Sequence, residues 1–166
     1  KAGAVFDTVK LTWMNKQYLS QLDNSVFLDV VRPFISNENQ QLESLDEKVI
    51  SVRDNLETLA RVNHYLEVYT LTTEAFYQKF LALEIKDFEQ DVLQEAQAFL
   101  SNSDTWSVAK VRELIEVIMT SLSLGRGKVM KPLRKGFTGY ESGPNLVDCL
   151  SLIPKQEILK RLDKVL

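Results

Sequence analysis

The stretch GRGKVMKPLRKGFTGYESGPNLVDCLSLI, residues 125–153, differs in composition from the rest of the chain. It holds five of the six glycines and two of the four prolines, and residues 125–135 carry five cations and no carboxylate. Proline removes a backbone donor and glycine disfavours helix, so we expect short helical turns broken by tight bends. The cations are Arg126, Lys128, Lys131, Arg134 and Lys135. Bends that carry these side chains are suited to meet an anion.

Charge is divided unevenly along the chain, whose formal net charge is -3. Residues 125–166 contain nine lysines and arginines against four carboxylates, a net charge of +5, which leaves -8 on the remainder. An acidic body with one basic end favours a ligand that is anionic at one place only. RNA has this character, because phosphate contacts supply much of its affinity for proteins.

Upstream of the basic stretch, apolar residues recur at helical spacing, and no alternating strand pattern is long enough to indicate a sheet. Asp7 is suited to cap the first helix, in which Trp13 is an expected core anchor. Ser107 is suited to cap the most regular helix, Val108 to Leu124, and Gly125 is the expected residue at its C-terminal end. We therefore predict an all-α fold, an irregular bundle of about eight to ten helices in two packed helical subdomains.

The composition also excludes several classes of protein. No apolar run approaches the roughly 20 residues that span a bilayer. Cys149 is the only cysteine, which excludes an internal disulfide, and its apolar neighbours predict a place in the core. His64 has no second histidine or cysteine nearby, so we interpret it as an ordinary helix residue and predict no metal site.

Several carboxylates cluster on and before a predicted helix at residues 85–100. They are Glu84, Asp87, Glu89, Asp91 and Glu95. Because no histidine, cysteine or glycine-rich loop accompanies them, we interpret them as a solvated acidic face rather than a catalytic or metal-binding set. No group of acid, base and nucleophile converges elsewhere, so no catalytic residue is predicted.

Two segments resemble one family. KPLRKGFTGYESGPNLVDCLSLIPKQEILKRL resembles the C-terminal end of bacterial-type glutamyl-tRNA synthetases, which are class I aminoacyl-tRNA synthetases. The matching pieces are Pro132-Leu133-Arg134, Thr138-Gly139, Gly143-Pro144-Asn145-Leu146 and the closing helix from Gln156-Glu157 to Arg161-Leu162. At the other end, AVFDTVKLTWMNKQYL, residues 4–19, is similar to the segment that follows the catalytic half of these enzymes. The resemblance implies that the chain is the C-terminal, anticodon-binding part of a longer enzyme.

The resemblance also implies roles for individual residues. Contacts with anticodon bases fall on the positions that match Lys131, Arg134, Gly143, Pro144 and Leu146. The family often has glutamine where this chain has Lys131, and some members have a hydroxyl residue where it has Gly143. The planar fork of Arg134 suits paired hydrogen bonds to a base edge or a phosphate. Pro144 and Leu146 are expected to form an apolar ledge for a base.

The same resemblance assigns the third anticodon base and the domain boundaries. Arg53 is the expected reader of the third base, with Asn55 as the alternative if the alignment shifts by two residues. Residues 1–36 are expected to be connecting helices from the catalytic body. Residues 37–103 and 104–166 are expected to be the first and second helical anticodon-binding subdomains.

The implied function is recognition of the anticodon loop of glutamate tRNA, so that the catalytic half of the same polypeptide can attach glutamate with ATP and Mg²⁺. The chain has no HIGH-like or KMSKS-like sequence and no glycine-rich phosphate loop, so we expect no cofactor in this part of the enzyme. A cytoplasmic monomer without membrane contact is expected. Two alternatives stay open, an all-helical protein-interaction domain with no RNA role and an enzyme in its own right.

Overall fold

The computed structural model describes residues 7–166, so residues 4–6 of the N-terminal resemblance lie outside the described residues. Across 7–166 the chain forms ten α-helices and four short 3₁₀ turns, with no strand, which confirms the all-α prediction. The helices are α1 Thr8–Gln21, α2 Asn24–Val31, α3 Leu45–Val52, α4 Val62–Thr70, α5 Thr73–Leu81, α6 Asp87–Ser101, α7 Val108–Ser121, α8 Arg126–Thr138, α9 Leu146–Ser151 and α10 Lys155–Val165. None of the helices in this range is long and apolar enough to cross a membrane.

The chain divides into two compact units within α4, the first ending at Glu67 and the second beginning at Val68. We predicted boundaries after residues 36 and 103, and the observed division differs from both. The boundary predicted after residue 103 falls between residues that share one core. Leu100 and Val111, on either side of it, are both fully buried in one hydrophobic core.

In the first unit, Asp7 caps α1 as predicted, because its carboxylate accepts a hydrogen bond from the backbone N–H of Lys10 at 3.0 Å. Leu19 is the buried residue of this helix. Trp13, which we expected to anchor the core, is 62% exposed. The apolar residues of α1 are spread around the helix instead of forming one stripe. Only one side of the helix packs inward, so the apolar residues on its other sides, Trp13 among them, stay exposed.

The second unit packs α8 against α5, α6, α7, α9 and α10 around one core. Its fully buried members include Phe76, Val92, Leu114, Ile118, Leu133, Phe137 and Leu150. Cys149 is 0% exposed within this core, which confirms the prediction made for it.

The connection from α7 to α8 differs from the prediction. The expected helix end at Gly125 is wrong, because α7 stops at Ser121 and Gly125 is the N-cap of α8. The left-handed residue is Ser123, with φ of 51°. The N–H of Leu124 donates to the carbonyl of Met119 at 3.1 Å, which is the hydrogen bond that closes a Schellman motif.

Helix α8 corrects the expectation of short turns and bends, because it runs unbroken through Pro132. Proline inside a helix costs about 3 kcal/mol. Val129, Leu133 and Phe137 are each 0% exposed, and full burial of such side chains contributes about 1.5–3 kcal/mol each. Packing therefore outweighs the local penalty. A Cβ atom on Gly136 would lie 2.3 Å from Leu93 Cδ2, so glycine permits the close approach of α8 to α6.

Arg161 holds the C-terminal helix to the rest of the second unit. The side chain is 1% exposed, and it donates to the carbonyl oxygens of Phe137 at 2.7 Å and Leu71 at 3.1 Å. Its Nε donates to Glu157 Oε1 at 3.2 Å. Burial lowers the pKa of the guanidinium, and the Glu157 carboxylate opposes that shift. The end of α8 is thus fixed by a paired charge inside the core.

Candidate nucleic-acid interface

A cleft of about 840 Å³ lies in the second unit between α6, α8 and the turn that joins α7 to α8. The charged residues that line it are Lys86, Arg126, Lys128, Lys131, Arg134, Lys135, Glu84, Glu89 and Glu141. Cations outnumber carboxylates by two to one in that set. A concave site with this lining is suited to an anionic ligand.

The cations face the cleft because of their spacing on α8. Side chains three, four and seven residues apart share one side of a helix, which places Lys128, Lys131 and Lys135 together. The buried apolar residues Val129, Leu133 and Phe137 occupy the other side and fix its rotation. The basic stretch is therefore a helix face, not a set of bends, and this difference decides which cations can act together.

Arg134 is held in the cleft by the turn after α8. Its Nη2 donates to the carbonyl oxygen of Pro144 at 2.8 Å. Gly143 has a φ of 152°, and a Cβ atom there would lie 3.3 Å from Arg134 Nη1. Partial burial lowers the pKa of the guanidinium, but an arginine side chain keeps its charge in proteins. The side chain keeps further N–H donors for a ligand.

The structure brings Arg134 together with Gly143 and Pro144 but does not present the apolar ledge that we expected. Pro144 is buried, and Leu146 is 1% exposed within the core of the second unit. Both side chains fill space beneath the turn instead of facing solvent. Base contacts at these two positions stay a prediction, and they would have to use main-chain atoms.

Lys135 is not available as a cation for a ligand. Its Nζ donates to Glu89 Oε1 at 3.0 Å, to Glu89 Oε2 at 3.1 Å and to the carbonyl oxygen of Glu84 at 2.7 Å. The side chains of Lys135 and Glu89 are 8% and 4% exposed. The interpretation of Glu89 as part of a solvated acidic face is therefore wrong. This pair, the Lys135–Glu89 ion pair, joins α8 to α6.

Lys128 and Lys131 are exposed, and neither forms an ion pair with any residue in the range that the structure describes. Arg126 is also exposed and lies 3.3 Å from Glu116 Oε1. Sequence reasoning missed Lys86, which reaches the same cleft from the start of α6. Lys86 lies beside an expected helix start, but the sequence does not show that this helix, α6, packs against α8.

Arg53 belongs to the first unit and is more constrained than a solvated surface charge. Its Nη1 donates to the carbonyl oxygen of Leu22 at 3.1 Å and to Asn24 Oδ1 at 3.0 Å. The side chain is 19% exposed, and its Nε lies 4.0 Å from Asp54 Oδ1, too far for a hydrogen bond. The Nε atom is buried without a hydrogen-bond partner. Arg53 thus ties the start of α2 to the turn after α3.

Residues 7–166 contain no group of three or more histidine, cysteine, aspartate or glutamate side chains placed to hold a metal ion.

Comparison with known proteins identifies relatives over the whole chain. The glutamate–tRNA ligase of Halalkalibacterium halodurans is 29% identical over 176 residues, which cover 100% of this chain and 36% of that protein. The glutamate–tRNA ligase of Symbiobacterium thermophilum is 28% identical and covers 98% of this chain and 35% of that protein. The chain therefore spans about a third of the length of these relatives.

Solved structures show the same fold. A glutamate tRNA ligase from Elizabethkingia meningosepticum, in complex with its amino acid, matches 99% of this chain and 33% of its own with a TM-score of 0.67 and 23% identity. The enzyme from Elizabethkingia anophelis matches with a TM-score of 0.65 and 22% identity. The profile of a family described as an anticodon binding domain matches residues 26–166. Because that match covers most of the chain, the chain belongs to the anticodon-binding domain family.

Proposed function

We propose that this chain is the anticodon-recognition part of a glutamate–tRNA ligase and that it binds the anticodon loop of glutamate tRNA at the cleft beside α8. Membership of the anticodon-binding domain family and the similarity to glutamate–tRNA ligases support the proposal. They favour RNA binding over the alternative of a protein-interaction domain. An anticodon is a single-stranded loop with bases that can splay out, which is the form of RNA that proteins read by sequence.

The observation that carries the proposal is the fixed position of Arg134. Its hydrogen bond to the Pro144 carbonyl holds the guanidinium at the cleft. A planar group with a set direction can form paired hydrogen bonds to a base edge, and little side-chain entropy is lost when it binds. Gly143 has no side chain, which leaves room for the Arg134 guanidinium against the adjoining turn.

Arg53 is proposed to read the third anticodon base from the first unit. The hydrogen bonds of its Nη1 orient the guanidinium without using all of its donors. This assignment is separate from that of the cleft, since Arg53 and Arg134 belong to different units. Asn55 remains the alternative reader.

The remaining parts of the proposal concern the whole enzyme. ATP and Mg²⁺ are assigned to the part of the ligase that this chain does not match. Binding of the anticodon would place the distant acceptor end correctly, which is a contribution to catalysis through orientation. A cytoplasmic monomer is the proposed state of the enzyme.

The test is affinity for an anticodon stem-loop of glutamate tRNA, compared with a loop of equal length and unrelated anticodon. We expect the chain to prefer the glutamate loop. Arg134→Ala should weaken binding to the glutamate loop by about 1–3 kcal/mol, the value of one good bidentate contact. Arg112→Ala removes an exposed arginine from α7 outside the cleft and is the matched control. Equal affinity of the wild-type chain for both loops would contradict the proposal.

A further inference from the structure

We propose that Lys128 and Lys131 bind the phosphate backbone of the RNA and leave the reading of base edges to Arg134. The inference rests on the proposed function and divides the cleft into two parts. It also changes the role of Lys131, because the family resemblance implies a base contact at that position.

The start of α8 conflicts with the ordinary charge preference of a helix. The N-terminal end of a helix carries partial positive charge and favours acidic residues. The first turn of α8 has no acidic residue, and Gly125 provides no side-chain cap. Arg126 and Lys128 instead place two cations there, and Arg126 is paired with Glu116 of α7 while Lys128 has no such partner in the described range. Natural sequences break a local rule of this kind mainly at functional sites, and a bound phosphate would relieve the conflict.

Four basic residues of the cleft differ in their freedom to bind. Lys135 is sequestered by Glu89, and Arg134 is bonded to the turn after α8. Lys128 and Lys131 are exposed and unpaired in the described part of the chain. They lie one turn apart on the same side of α8, so their side chains can reach one phosphate or two neighbouring ones.

The carboxylates of the cleft are concentrated at the other end of α8. Glu89 Oε1 and Glu141 Oε1 lie 3.0 Å and 3.8 Å from Lys135 Nζ. Helix rise of about 1.5 Å per residue puts Lys128 roughly 10 Å from Lys135 along the axis. An anionic backbone therefore meets less uncompensated positive charge at the Lys135 end than at the Lys128 end.

The chemistry of the side chains agrees with this division. A lysine ammonium is a point charge on a flexible stem, and nothing in the described structure gives either lysine a fixed direction. Contacts of that kind position a nucleic acid without reading its sequence. Arg134, with its planar group held by the Pro144 carbonyl, has the fixed geometry that reading requires.

The experiment measures binding of the chain to the glutamate stem-loop and to the unrelated loop across a range of salt concentrations. Lys128→Gln and Lys131→Gln should weaken binding to both loops by the same factor. Each should reduce the slope of log K against log salt by about 0.7, the value for one contact on a single strand. Lys160→Gln removes an exposed lysine of α10 that does not line the cleft, and its slope should equal that of the wild type.

Lys128→Glu separates binding from folding. A carboxylate in the first turn of α8 should raise the melting temperature by about 1–3 °C, while binding to both loops falls more than in Lys128→Gln. A merely structural lysine would not give these opposite effects, so a fall in melting temperature together with weaker binding would overturn the inference.

Three further results decide the proposal. An unchanged salt slope in Lys128→Gln and Lys131→Gln, with weaker binding in Arg134→Ala, would overturn the phosphate assignment and leave the proposed function intact. An equal change in Lys160→Gln would show an effect of net charge only and would also overturn it. Absence of any preference of the wild-type chain for the glutamate loop would instead overturn the proposed function.

Discussion

The Lys135–Glu89 ion pair leads to a quantitative prediction for the stability of the second unit. Replacement of Glu89 by leucine leaves the ammonium of Lys135 buried with the carbonyl oxygen of Glu84 and with the exposed carboxylate of Glu141, 3.8 Å away. Replacement of Lys135 by methionine leaves a buried carboxylate. Breaking a buried pair at one partner costs about 3–5 kcal/mol, because an uncompensated charge stays in the core. Each single variant should therefore lose a large part of a total stability of about 5–15 kcal/mol.

The double variant Glu89→Leu/Lys135→Met should recover most of this loss. Two apolar side chains of similar volume can replace a buried ion pair at little cost in stability. Glu89 Oε2 also accepts a hydrogen bond from the Lys86 N–H at 2.9 Å, at the start of α6. This hydrogen bond caps the start of α6, and its loss should leave the double variant about 1 kcal/mol less stable than the wild type. The two single losses would instead sum to about 6–10 kcal/mol.

Urea unfolding of the four proteins measures this coupling. The indole N–H of Trp106 donates to the carbonyl oxygen of Leu150 at 2.9 Å, inside the second unit. Trp13 is 62% exposed in the first unit. In a Trp13→Phe background, fluorescence therefore reports the second unit alone, and circular dichroism reports total helix. Additive losses in the double variant, or single losses below about 1 kcal/mol, would refute the reasoning from burial.

Three other predictions concern the turn, the core and the first unit. Gly143→Ala should weaken binding to the glutamate loop with little loss of helix. The new Cβ atom would press on Arg134 Nη1, and the φ of 152° at this position is strained for alanine. Unchanged affinity would remove the turn from the site. Burial raises the pKa of Cys149 from 9.0 to about 11, so its contribution to the free energy of unfolding should fall as pH rises between those values. Cys149→Ala should lose less stability than the wild type over that interval, as measured by urea unfolding. Arg53→Gln should relax discrimination at the third anticodon base. It should also lower the stability of the first unit by about 1–3 kcal/mol, because the hydrogen bond to the Leu22 carbonyl is lost. Equal discrimination by the variant and the wild type would exclude Arg53 as the reader.

The sequence predicted the helical class and the places of residues whose signal is local. Asp7 as a cap and Cys149 as a core residue depend on immediate neighbours, and both predictions were confirmed. The prediction for α8 failed because local penalties were weighed without the packing that outweighs them. Val129, Leu133 and Phe137 recur every four residues, the spacing of one helix face, and each is 0% exposed.

The candidate site was predicted in part. The cationic stretch was evident from composition, but the state of each cation depends on partners distant in the sequence. Lys135 is paired with Glu89 from another helix, and the same contact explains why Glu89 is not a solvated charge. Trp13 shows the reverse error, since a large apolar residue predicts burial only when the helix around it has one apolar face.

Helix α8 links the core of the second unit to the proposed RNA site. Its buried side is fixed by Leu133 and Phe137, and its C-terminal end is held where Arg161 donates to the Phe137 carbonyl. The Lys135–Glu89 ion pair fixes the edge of α8 that faces α6. A rigid helix gives Arg134 a constant position at the cleft and leaves only flexible lysine side chains to be ordered on binding. Ordering of side chains on binding reduces affinity. The buried Lys135 holds α8 in place, so Arg134 needs little further ordering when RNA binds.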